Sequence, residues 1–401
     1  MARGLSRRAF LGGVTVPLLL GVPGVTRPAG SGPRVAVVGA GAFGGWTALH
    51  LQRRGARVSL YDAWGPGNPR ASSGGETRVI RAVYGPDRIY TEMVRRAYVH
   101  WRELQASVEE PLYVDTGALW MHRGDDAYVR SSAPILAELG FPLEKIDLGD
   151  AKKRYPQIAF GGVTSVWIEH TAGALFAARA CAAVRDALVR AGGTYTTAEI
   201  SSPSKAEADV VVFACGPWMS RLFPDVLGKA IRPTRQEVYY FGPPAGSTRY
   251  AAGNFPVWID FGERILYGIP DIGGRGFKLA DDTRGADFDP TSGDRAPSEE
   301  GIARARRFLA ERFPELAKAP LLHAEVCQYE NSPDGNLIMD RHPEQKSVWL
   351  LGGGSGHGYK LGPAVGEMAA EAILSDREVP ALFRLDRLKD GERMTQFQRK
   401  S

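Results

Sequence analysis

A chain of 401 residues exceeds what one hydrophobic core comfortably fills, and 44% hydrophobic with 24% charged residues is ordinary for a folded, soluble protein, so two interleaved domains are expected. Arg3, Arg7, Arg8 and Arg27, in a leader without a single acid, supply four of the five formal positive charges. The remainder is close to neutral, so nucleic acid is not an expected partner.

The leader reads Ser6-Arg7-Arg8-Ala9-Phe10-Leu11, then an apolar stretch to Val25 broken by Pro17 and Pro23. This is the layout of a twin-arginine export signal, too short and interrupted for a stable membrane span. The export machinery is therefore an expected partner, and the expected location is periplasmic or extracellular. The route carries folded proteins, which suits a chain that takes up a cofactor first. Cleavage near Ala29 and retention as an anchor both stay open.

Arg34 to Val38 reads as a buried strand, Gly39 to Gly45 as a glycine turn, Trp46 to Arg54 as a helix and Val58 to Tyr61 as a second strand ending at Asp62. Helical spacing recurs over Glu92 to Ser107 and Leu175 to Ala191. Val210 to Ala214 is a continuous apolar run of the kind found inside a parallel sheet. Val238 to Phe241 and Arg264 to Gly268 read as strands, as does Val348 to Leu351, which leads into a glycine-rich turn and a helix from about Pro363 to Ser375.

Gly39-Ala-Gly41-Ala42-Phe43-Gly44 thus follows a strand and opens a helix, with Asp62 closing the next strand. That context makes it a dinucleotide fingerprint. The glycines allow a tight turn, close approach of backbone to pyrophosphate and helix–strand packing, while Asp62 accepts from ribose hydroxyls. Three cysteines, Cys181, Cys215 and Cys327, are too few for a disulfide framework, and their spacing gives no metal site.

Further motifs follow in order: Ser72-Ser73-Gly74-Gly-Glu-Thr77-Arg78-Val-Ile-Arg81, Lys278 in a Gly-rich segment, Cys327-Gln-Tyr329 and Gly356-His357-Gly358-Tyr-Lys360. With the glycine turn, these resemble the monomeric sarcosine oxidase and N-methyltryptophan oxidase family, within the D-amino-acid oxidase group of flavoproteins. The resemblance runs from Arg34 to about Leu385. It implies an α/β fold with a Rossmann-type FAD-binding domain and an interleaved α+β substrate domain built on a mixed or antiparallel sheet. Residues 1–32 would be the signal, 33–113, 165–230 and 333–390 the FAD-binding domain, 114–164 and 231–332 the substrate domain, and 391–401 a C-terminal tail.

The resemblance also implies roles. Cys327 falls where the family forms a thioether to the flavin ring. Arg78 and Lys278 match basic residues flanking that ring, with Lys278 activating oxygen. His357 falls beside the flavin, and Ser73, Thr77, Gly356, Gly358 and Lys360 complete the cofactor contacts. Arg81 and Lys360 match the pair that grips a substrate carboxylate, and Tyr267 and Tyr329 match pocket tyrosines. The chemistry agrees: a fixed ammonium stabilises superoxide, and a guanidinium with a second cation suits a carboxylate.

Three departures from the family pattern stand out. Asp282 stands where sarcosine oxidases carry a histidine, which favours a cationic amine or a donor on the substrate. Ser73-Gly74 replaces a His-His pair, and Thr194 to Asp209 is short, suggesting a trimmed strand meander. The expected activity is oxidation of a small secondary or cyclic amine, such as an N-alkyl or cyclic amino acid, to an imine by a monomeric enzyme with oxygen as partner and peroxide as product. A dehydrogenase or multi-electron oxidase of a cyclic imino acid is the neighbouring alternative, and an inactive exported flavin-binding protein the alternative from another class.

Overall fold

The computed structural model describes residues 32–388 and residue 397, so the expected leader (apart from Gly32) and the 391–401 tail (apart from Phe397) lie outside the described residues. Val35, Val37, Val212 and Leu351 are among the apolar residues that build its first sheet. The strand order is Ile338–Arg341, Val348–Gly352, Val210–Phe213, Arg34–Val38, Arg57–Asp62 and Thr194–Thr197. All neighbours are parallel except the first pair, which is antiparallel. Helices Ala42–Arg53 and Gly362–Ser375 pack on each other around buried Trp46. The centre of this Rossmann-type sheet is thus assembled from the beginning, middle and end of the chain.

The second sheet has eight strands in the order Leu321–Asn331, Arg232–Phe241, Phe277–Asp281, Ile265–Gly268, Val257–Phe261, Ala118–His122, Ser165–Glu169 and Leu143–Ile146. It is mixed, since Val257–Phe261 runs parallel to Ala118–His122 while the other pairs are antiparallel. Side chains alternate across a strand, so register decides which residues share a face. Tyr239, Phe241, Phe277 and Leu279 pack with Phe308 and Phe313 in an aromatic core beneath helix Glu299–Arg312. Tyr240 pairs with Lys278, Val238 with Ala280 and Glu325, Gln236 with Cys327 and Thr234 with Tyr329. Lys278, Cys327 and Tyr329 therefore lie on the opposite face of this one sheet.

A third sheet of three antiparallel strands, Thr77–Ile80, Gly173–Phe176 and Tyr113–Asp115, lies between. It corrects one expectation: the helix read from Leu175 begins at Ala177, because Leu175 pairs with Arg78 and Tyr113. Ser165–Glu169, read as opening the second piece of the FAD-binding domain, is likewise a strand of the eight-stranded sheet, bonded on both edges. Thr194–Thr197 forms a single edge strand before a turn at Pro203–Lys205. No helix among the described residues is long and apolar enough to cross a membrane.

Candidate active site

The glycine fingerprint forms a cradle. Gly39 adopts φ 103°, and a Cβ there would lie 2.4 Å from the Ala214 carbonyl oxygen; a Cβ on Gly44 would lie 1.9 Å from that of Gly39. Asp62 Oδ2 accepts from the Ala40 N–H at 2.8 Å, and Oδ1 from those of Trp64 and Gly65. The carboxylate therefore also ties the turn to the adjoining loop. Ser73 Oγ accepts from the Ala42 N–H at 2.9 Å, so the start of the helix reaches the loop that carries Arg78.

An open cavity, whose empty space together with its solvent-facing mouth is about 1480 Å³, connects this cradle with the face of the large sheet. Gly39, Gly41, Phe43 and Asp62 line it at one end and Arg78, Tyr267, Cys327 and Tyr329 at the other, with Gly356 and Gly358 alongside. A dinucleotide on the cradle with a ring system at the sheet fits the residues present. Trp64 and Trp218, whose ring centres lie 5.0 Å apart, also line the cavity. Neither belongs to a recognised motif, and only the position of Trp64 two residues past Asp62 hinted at it.

Beside Cys327 two cations share one acceptor. The Thr77 carbonyl oxygen accepts from Arg78 Nη1 at 2.8 Å and from Lys278 Nζ at 2.7 Å. Arg78 Nη2 also donates to the carbonyls of Ser72 and Gly74 and lies 3.4 Å from Cys327 Sγ. Burial, with Arg78 adding repulsion, pulls the Lys278 ammonium down to about 7. Its side chain is 1% exposed, so it is no solvated surface lysine.

A second pair of cations stands on Tyr84. The Arg81 guanidinium lies 4.6 Å and the Lys360 ammonium 5.4 Å from the centre of that ring. Arg81 donates to the Val83 carbonyl and Lys360 Nζ to that of His357 at 2.8 Å. Burial drives the Lys360 ammonium well below the lysine range, and Arg81 adds to the effect. Tyr329 donates to Asp282 Oδ1 at 2.8 Å and interacts with Tyr267. Burial pushes the Asp282 carboxyl up to about 6, against the Tyr329 hydrogen bond and the attraction of Arg81 and Lys360.

His357 is held through both ring nitrogens. Its Nε2 lies 2.9 Å from the Gly335 carbonyl oxygen and its Nδ1 3.2 Å from the Tyr84 hydroxyl. A carbonyl only accepts, so Nε2 carries the proton and Nδ1 accepts. The ring packs against Tyr84 and Tyr90, while its glycine neighbours line the cavity. The imidazole therefore supports Tyr84, and its backbone carbonyl anchors Lys360. Sequence reasoning also missed Glu330, which lines the cavity, accepts from the Gly353 N–H at 2.6 Å and is pushed up to about 8 by burial. Its place directly after Tyr329 was the available signal.

The chain is similar to known proteins over most of its length. The family model described as FAD dependent oxidoreductase matches residues 34–372. The monomeric sarcosine oxidase of Bacillus sp. (strain B-0618) is 31% identical over 365 residues, covering 86% of this chain and 92% of that protein. The N-methyl-L-tryptophan oxidase of Salmonella enteritidis PT4 is 28% identical, covering 84% and 94%. Among solved structures, L-proline dehydrogenase from P. horikoshii superposes with a TM-score of 0.73 at 21% identity, covering 88% and 95%, a likeness of fold.

Proposed function

We propose that this chain, which belongs to the FAD-dependent oxidoreductase family and is one of its amine oxidoreductases, converts a small secondary or cyclic amino acid to an imine and delivers the electrons to oxygen as hydrogen peroxide. The observation that carries this reading is the pair of buried cations on Tyr84. Among the described residues, Arg81 and Lys360 hydrogen-bond only to backbone carbonyls. Glu169 and Asp282 attract both groups, but among the described residues neither carboxylate is within hydrogen-bond reach of them, so a substrate carboxylate supplies the direct anionic partner, in bidentate geometry at the guanidinium. Relatives named for sarcosine and N-methyl-L-tryptophan, both N-methyl amino acids, support the substrate class.

Gly39, Gly41, Gly44 and Asp62 would hold the nucleotide end of FAD, and Arg78, Cys327, Gly356 and Gly358 the end where chemistry occurs. The chemistry that FAD supplies when bound is acceptance of two electrons from the carbon beside nitrogen and their return to oxygen. Arg81 and Lys360 fix the carboxylate, which sets where the amine lies. Asp282 faces them and, ionised at neutral pH, accepts the proton that an incoming ammonium must lose. Lys278 places a fixed ammonium where oxygen gains negative charge. Cys327 is read as a covalent tether to the cofactor.

Acid precipitation of the purified protein and of Cys327→Ser tests that tether. Yellow colour should remain in the native pellet and vanish from the variant's, and colour in the native supernatant would refute the link. A screen of N-methyl and cyclic amino acids should give one peroxide per substrate. Turnover with an artificial acceptor but no peroxide would make the enzyme a dehydrogenase, and more than one peroxide a multi-electron oxidase. The reading extends to export by the twin-arginine route as a monomer. Arg7→Lys with Arg8→Lys should retain activity inside the cell, and gel filtration should give one chain's mass.

A further inference from the structure

Arg81 is enclosed by more than the elements that carry it. Its guanidinium carbon lies 4.6 Å from the ring centre of Tyr84, 5.4 Å from that of Trp120 and 5.2 Å from that of Phe397. The first two rings are buried with Arg81, whereas Phe397 comes from the far end of the chain. Its ring meets Tyr128 at 4.9 Å and 73° and Phe261 at 5.1 Å and 89°, both edge-to-face contacts. Phe397 is therefore seated in a corner between helix Ala127–Leu139 and the end of strand Val257–Phe261, with Arg81 as its third neighbour.

Resting on the carboxylate role of Arg81 argued above, we infer that Phe397 is a positioning residue that sets the enzyme's affinity for the substrate carboxylate by completing an aromatic enclosure around Arg81. An aromatic face attracts a guanidinium through its quadrupole and holds its plane while leaving the N–H edge free for hydrogen bonding. The ring also keeps water away, and a guanidinium–carboxylate pair is stronger where the local dielectric is low. With a stable enclosure, Arg81 meets the incoming carboxylate already oriented, so less freedom is lost on binding. Phe397 thus acts through Arg81 and touches neither the reacting carbon nor the nitrogen. The expected signature is a change in substrate affinity with turnover at saturation preserved.

The test compares FAD-loaded native protein with Phe397→Ala and Phe397→Tyr, titrated calorimetrically with acetate and benzoate. Phe397→Ala should weaken both carboxylates by roughly two- to thirty-fold, the range of a partly desolvated cation–π contact. Phe397→Tyr, which keeps the aromatic face, should bind within about twofold of native. With an amine substrate, KM should rise by the same factor in the alanine variant and kcat should hold. Equal carboxylate affinity in native protein and Phe397→Ala overturns the inference, as does a tyrosine variant as weak as alanine or a fall in kcat alone. A native protein that binds neither carboxylate sinks the amino-acid reading and this inference with it, while native binding lost in Arg81→Gln upholds the amino-acid reading whatever Phe397 does.

Discussion

Lys278 and Arg78 hang from the same Thr77 carbonyl, and this fixes the position of the ammonium as firmly as that of the guanidinium. Lys278→Met should leave anaerobic bleaching of the yellow protein by substrate nearly intact and slow recovery of colour in air by about a hundredfold or more. Rapid mixing with oxygenated buffer measures the second step alone. Because burial lowers the ammonium to about 7, the native oxygen step should weaken as pH rises through 7 and the charge is lost. Asp282 works in the opposite direction. Its carboxyl titrates near 6, so kcat/KM should fall as pH drops below 6 and the acceptor is protonated. Asp282→Asn should remove that acid limb, and Tyr329→Phe should move it upward, since the lost hydrogen bond favoured the charged form. At this scale the polar motifs were legible in the sequence because each combines unusual residues at fixed spacing. Tyr84, Trp120 and Glu330 were not, since an aromatic or an acid declares no purpose until its neighbours are known.

Helix Glu299–Arg312 is pinned to the large sheet by charge as well as by its apolar face. Arg312, with no exposed surface, donates to Asp260 Oδ2 at 2.6 Å, and the same carboxylate accepts from Arg123 at 3.0 Å. Asp260→Ala would leave a buried guanidinium uncompensated and should cost about 3–5 kcal/mol. Urea unfolding would show this as a lower midpoint at an unchanged slope. Asp260→Asn should cost less, because the amide oxygen still accepts one hydrogen bond. Elements with strong local signals were readable. Arg34–Val38, its glycine turn and its helix follow directly from an apolar run, glycine spacing and helical periodicity. The start of helix Ala177–Arg190 was misplaced because pairing of Gly173–Phe176 with a strand about a hundred residues earlier outweighed local helical spacing. Strand Arg232–Phe241 is longer than its apolar end suggested for the same reason: its polar half is held by Leu321–Asn331.

Across the whole molecule, the cavity joins two sheets that share few residues near one another in the chain. Its lining takes Val38 and Asp62 from the Rossmann-type sheet and Tyr267, Cys327 and Tyr329 from the other. A cofactor spanning both should therefore stabilise their union. Stripped of FAD, the Cys327→Ser protein should melt at a lower temperature than when reloaded, with a stabilisation of roughly 4 kcal/mol at a thousandfold excess over Kd. A melting temperature indifferent to FAD would argue against a shared site. The interleaving itself was legible, because the dinucleotide fingerprint stands near one end of the sequence and a buried strand with a glycine-rich turn near the other. The mixed order of the eight-stranded sheet was not, since its pairings depend on contacts that no local pattern encodes.

The cradle also imposes a schedule. Arg34–Val38 leaves the ribosome early, yet it is flanked by Val210–Phe213 and, beyond that, by Val348–Gly352. The helix that opens at Ala42 is covered by Gly362–Ser375, the last long helix among the described residues. Strand Arg34–Val38 and helix Ala42–Arg53 thus wait for elements made much later, and a chain that stops before Gly362 lacks the helix that covers the cradle. Yellow colour in this protein should consequently appear only after helix Gly362–Ser375 has been made, about three hundred residues behind the glycine turn it covers.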